Sequence, residues 1–165
     1  MSHPAVIDGL EFARTGARLE GGKKVADFPR LREGLHSDQG VLRYELRGVP
    51  EEQGKPALRL TVEGALQLVC QRCLGSLELP LRIEALLLLA ASQAEVDAEP
   101  LAAEGPERIV AGKAMPFLDL IEDEVLLAIP IAPRHERCVG SVARAEVAGG
   151  SPFAGLRGLM GGTKH

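Results

Sequence analysis

Between residues 58 and 87 the chain alternates apolar and polar side chains with a period of two. Leu58, Leu60, Val62, Leu66, Leu68 and Cys70 share one phase, with Gly64 among them, while Arg59, Thr61, Glu63 and Gln67 share the other. The run Cys70-Gln71-Arg72-Cys73-Leu74-Gly75 interrupts the pattern. It resumes on odd positions with Leu77, Leu79, Leu81, Ile83, Ala85 and Leu87, set against Glu78, Pro80, Arg82 and Glu84. Successive side chains of a strand point to opposite faces, so each half reads as a long strand with one dry and one wet side. The two form a hairpin whose short turn carries both cysteines. A hairpin of this kind needs a covered face. The expected class is therefore α+β: an antiparallel twisted sheet or partly closed β-barrel of about five to six strands, with two or three short helices packed on it.

The remaining elements fit around that hairpin. Residues 6–13 read as a short helix ending near Gly16, and residues 17–25 as a weak strand. Asp27 reads as a helix cap, with Pro29 just inside the helix and Leu31 and Leu35 following at helical spacing. Leu42, Tyr44 and Leu46 alternate with Arg43, Glu45 and Arg47, which makes residues 41–49 a further strand, followed by a turn at residues 50–54. Arg43, Arg47, Arg59 and Arg82 fall on polar faces in the same phase as Glu45, Glu63, Glu78 and Glu84. That mixture predicts cross-strand ion pairs rather than a basic stripe. Pro80 lacks a ladder donor and suits an edge or a bulge. Residues 92–105 read as an acidic loop and residues 107–111 as one more short strand. Phe117, Leu118, Ile121, Val125 and Ala128 are spaced as one helix face. Glu122, Asp123 and Glu124 are consecutive and fan over roughly 200° of that helix, which predicts a solvated face and not a paired-carboxylate site. A single domain over residues 1–140 is expected. The Gly- and Ala-rich tail of residues 141–165 has Phe153, Leu156 and Leu159 or Met160 at the spacing of a short docking helix.

Charge and composition narrow the function. The net charge of −4 argues against indiscriminate attraction to phosphate backbones. Its distribution is uneven, at −7 over residues 95–124 and +3 over residues 133–165. Aromatic residues make up 3% of the chain, with no Trp, too few for a base-stacking platform. No apolar run approaches the roughly 18 residues that a membrane helix needs, and the N-terminus lacks the pattern of a secretory signal. A cytoplasmic protein without a membrane partner is expected. In that compartment three cysteines read as thiols or metal ligands and not as a disulfide framework.

Cys70, Cys73, His135 and Cys138 are the candidate metal ligands. Three sulfurs and one imidazole suit tetrahedral zinc, and two pairs contributed by separate segments are a common structural arrangement. The pairs are 61 residues apart in sequence, so the reading requires the chain to bring them together. Two alternatives use the same residues: unliganded thiols packing the hairpin end, with Cys70 as a small apolar residue, or a thiol redox pair. A full protein shell would make the zinc structural. A missing ligand would admit water and a zinc-dependent hydrolase with Glu136 as base. The sequence carries no His-Glu-x-x-His, nucleophile elbow, Walker loop or dinucleotide fingerprint. No enzyme activity and no small-molecule substrate are expected.

Four motifs in order resemble the YceD-type large ribosomal RNA subunit accumulation proteins. They are Cys70-Gln71-Arg72-Cys73-Leu74, the acidic helix with Glu122, Asp123, Glu124 and Pro130, the Pro133-x-His135 segment with Cys138, and the late Ser151-Pro152-Phe153. The resemblance implies a cytoplasmic, non-catalytic ribosome biogenesis factor that supports synthesis, processing or stability of 23S ribosomal RNA. Its partner would be large-subunit rRNA or a ribosomal protein. Gln71, Arg72 and Leu74 on the hairpin tip, with Arg134 and Arg137 nearby in sequence, are the candidate binding residues. Arg72 is suited to a bidentate phosphate or carboxylate contact, or alternatively to an ion pair with the acidic triplet 122–124. The competing reading is a small thiol or zinc interaction module.

Overall fold

The computed structural model describes residues 5–98 and 105–138. The expected hairpin is its backbone: β5 (Lys55–Val69) and β6 (Ser76–Ala90) pair antiparallel without a register break from Ala57↔Leu88 to Val69↔Ser76. The dry phase is as predicted, with Leu58, Leu60, Val62, Leu66 and Cys70 wholly buried. Strand β4 (Val41–Glu52) pairs with β5 on its other edge, and β2 (Arg18–Lys24) pairs with β4. The turn between β4 and β5 is the two-residue Gln53-Gly54, both at positive φ (52° and 78°), which is the hairpin geometry that matches strand twist. A short β3 (Leu35–Ser37) continues the β4 side of β5.

The sheet is open, not a barrel, and it is mixed. Strand β7 (Glu107–Val110) lies parallel to residues 87–90 of β6, because the chain crosses over before returning. Part of that crossover is a helix, α3 (Gln93–Ala98), where an acidic loop was expected. Ser92 Oγ accepts the Glu95 N–H, a short-range cap that overrides the weak periodicity. The six strands run β2-β4-β5-β6-β7 with β3 beside β5, and a separate two-stranded pair joins β1 (Val6–Ile7) to β8 (Met115–Pro116). Among the described residues, β6 has no second neighbour at Pro80, since β7 reaches only residues 87–90.

Four α-helices occur among the described residues, where two or three helices were expected. The first, α1 (Gly9–Arg14), begins later than the sequence suggests because Val6 and Ile7 pair with β8 and Asp8 caps the helix through Glu11 N. It lies against β4 at Gly48, where any Cβ would run into the Phe12 carbonyl. The short α2 (Pro29–Arg32) has Pro29 at its start, as expected, but Phe28 and not Asp27 precedes it, and no side chain of its own segment caps it. The carboxylate of Glu122 does so instead, from α4 (Phe117–Ala128), accepting from Arg30 N (2.7 Å) and Leu31 N (3.1 Å). Phe117, Ile121 and Val125 of α4 join Ala13, Val25, Phe28 and Leu31 over the dry face of the sheet, forming one core. The docking helix expected in residues 141–165 lies outside the described residues.

Candidate metal centre at the hairpin tip

The tip of the β5–β6 hairpin is a knuckle. Leu74 N donates to Cys70 O (2.8 Å) and Cys70 N to Gly75 O (2.9 Å), which closes the six residues into a tight loop. Leu74 takes a left-handed conformation, φ 60°, and its side chain is 71% exposed. Both cysteines point inward from this loop, Cys70 as the last residue of the dry phase. The second segment follows the C-terminus of α4. Ile129 and Pro130 end the helix, and Gln71 N donates to Pro133 O (2.8 Å), which pins residues 133–138 against the tip.

The four candidate ligands meet. One ligand atom each from Cys70, Cys73, His135 and Cys138 lies within 4.8 Å of the other three. Cys70 Sγ and Cys138 Sγ are 3.8 Å apart. His135 Nδ1 lies 3.4 Å from Cys73 Sγ and 4.0 Å from Cys138 Sγ. With Zn–S near 2.3 Å and Zn–N near 2.05 Å, a tetrahedron has S–S edges of about 3.8 Å and S–N edges of about 3.6 Å. The donor set and its spacing therefore fit a metal of zinc's size and softness.

Neighbouring groups orient these ligands. His135 Nε2 lies 2.9 Å from Ser76 O, and because a carbonyl only accepts, Nε2 carries the hydrogen and a neutral ring turns its Nδ1 lone pair to the sulfurs. His135 N points its hydrogen at Cys70 Sγ (3.4 Å). Arg72 Nε donates to Cys138 Sγ (3.0 Å), while its Nη2 donates to the carbonyls of His135 (3.0 Å) and Glu136 (3.3 Å). Burial pushes the Cys70 thiol up, but the backbone N–H groups of Cys73, His135 and Arg72 outweigh it and bring its pKa to about 5. The Arg72 guanidinium lowers Cys138, and contact with Cys138 raises His135. Three thiolates around a divalent ion would leave one negative charge, and Arg72 would supply the opposite one.

A family model for the large ribosomal RNA subunit accumulation protein YceD matches residues 58–159. The chain belongs to the YceD family. The match begins within strand β5 and includes every residue of the cluster. No curated protein and no solved structure matches the chain.

The other residues singled out by sequence fall around this YceD knuckle. Gln71, Arg134 and Arg137 are exposed beside it, Arg72 braces it, and Leu74 projects from it. Arg72 does not pair with the acidic triplet. Arg30 does, reaching Glu122 and Asp123. Glu122 is only 3% exposed, against the expected solvated face. Reasoning from sequence missed the backbone partners, Ser76 O and Pro133 O, since a carbonyl carries no residue-type signal. It also missed Arg30, whose role depends on α2 docking on α4.

Proposed function

We propose that this YceD-family chain is a non-catalytic factor for accumulation of 23S ribosomal RNA, and that its knuckle is a structural zinc site presenting a recognition surface. The convergence of Cys70, Cys73, His135 and Cys138 within 4.8 Å carries the zinc reading. Zinc there would tie the hairpin to residues 133–138 and hold Gln71, Leu74, Arg134 and Arg137 in fixed positions for rRNA or a ribosomal protein. With four protein ligands the shell has no open place for a reacting water, which favours the structural over the hydrolytic use.

Two measurements test this. Elemental analysis of protein purified under reducing conditions without chelator should give one zinc per chain, and Cys70→Ser with Cys138→Ser should abolish it. Metal-free wild-type protein would end the zinc reading. A strain lacking the gene should contain less 23S than 16S rRNA, restored by the wild-type gene; normal ratios would end the ribosomal reading.

A further inference from the structure

The solvent face of the sheet holds a separate concentration of charge. Register sets side chains of one face side by side across the strands. Arg43 lies opposite Glu63 and Glu63 opposite Arg82, so that row alternates in sign as expected. Four residues along, Arg18 lies opposite Arg47 and Arg47 opposite Arg59. Three guanidinium groups therefore stand in one row across β2, β4 and β5, spanning roughly 10 Å. Like charges directly opposed destabilise a sheet. Arg18 is compensated by Glu20 (2.9 Å) and Glu45 (3.0 Å). Arg47 and Arg59 are exposed and, among the described residues, their side chains make no hydrogen bond or ion pair.

The rows on either side define the shape of a ligand. On one side lies an acidic row, Glu20, Glu45, Thr61 and Glu84; on the other an apolar one, Val49, Ala57 and Leu88, where Ala57 and Leu88 are buried and the open face ends. The positive track is thus one residue wide. A duplex would bring phosphates against the acidic row, whereas one extended strand can follow the track alone. The planar forks of arginine suit phosphate oxygens, and among the described residues these rows carry no aromatic side chain for bases to stack on. We propose that Arg47 and Arg59, with Arg18 at the end of the row, bind the phosphodiester backbone of a single RNA strand laid across the sheet. The choice of RNA as the polyanion rests on the ribosomal reading above; the track itself does not.

The test is fluorescence anisotropy of the full chain with a labelled oligouridylate at several salt concentrations. Wild-type protein should bind. Arg47→Gln with Arg59→Gln should weaken binding about tenfold and reduce the salt slope by about 1.4, two single-strand phosphate contacts. Arg43→Gln should bind like wild type. The double variant should melt no lower than wild type, since it removes a repulsion, so its lost binding cannot be put down to misfolding. Unchanged affinity in the double variant, no binding by wild type, or displacement of the RNA by polyglutamate at equal charge would each overturn the track. A deletion strain with normal 23S levels would sink the ribosomal reading and leave these binding results standing.

Discussion

Glu122 is a carboxylate that the surroundings have filled. One oxygen accepts two backbone N–H groups of α2 and the other accepts Arg30 Nε (2.9 Å). Removing it leaves Arg30 N and Leu31 N without acceptors, and Glu122→Ala should cost about 2–3 kcal/mol, moderated because Arg30 itself is half exposed. Urea unfolding measures this, and a loss below about 0.5 kcal/mol would mean that water replaces the carboxylate. Glu124 lies two residues on. Burial raises its pKa, with Glu107 and Asp123 adding like-charge repulsion. A carboxyl whose pKa is raised by folding stabilises the fold while protonated, and that contribution is lost as pH rises through the folded value. Glu124→Gln should therefore raise the melting temperature at pH 7 and leave it nearly unchanged in acid well below the ordinary carboxylate pKa. An equal shift at both pH values would refute the electrostatic cause.

The same acidic triplet marks how far sequence reasoning reaches at the scale of elements. The helix itself was legible, because Phe117, Ile121 and Val125 repeat at helical spacing and all three are buried. The burial of Glu122 was not, since it depends on a partner 92 residues away. The hairpin was legible almost residue by residue, because period-two alternation survives in any environment that wets one face. The α3 helix and the parallel placement of β7 were not, as short segments owe their form to caps and docking more than to periodicity. Sequence also treated the arginines as one mixed set. Their sign pattern appears only with register, which opposes Arg43 to Glu63 but Arg47 to Arg59. At the turn, Leu74 holds a conformation natural to glycine. Leu74→Gly should raise stability by about 1 kcal/mol. If Leu74 is a recognition residue, the same change should reduce rescue of 23S levels, so opposite movement of the two readouts would support presentation over packing.

For the molecule as a whole, the candidate metal site and the core are separable. The core is apolar and spans the sheet and helices α1, α2 and α4, whereas the knuckle joins one end of a hairpin to residues 133–138. If the knuckle holds zinc as proposed, removing it with a chelator should therefore lower the melting temperature by on the order of 5 °C, about 2 kcal/mol, without unfolding the chain. Hydrogen exchange should speed at Gln71 and His135 and stay slow at Leu60 and Val62. Global unfolding on chelation would show that the metal holds the core. The candidate ligands were singled out by their types and spacing; their meeting was not legible, because Pro130 and Pro133 reveal where the helix stops but not which way the chain then turns.

That separation in sequence has a consequence in time. The β5–β6 ladder joins strands that are neighbours along the chain, so it can close soon after Ala90 is made. Cys138 is translated 65 residues after Cys73, roughly 3–13 s at ordinary elongation rates. Throughout that interval the nascent polypeptide carries a finished loop with two free sulfhydryls, open to oxidants and to stray metals until its last donors emerge.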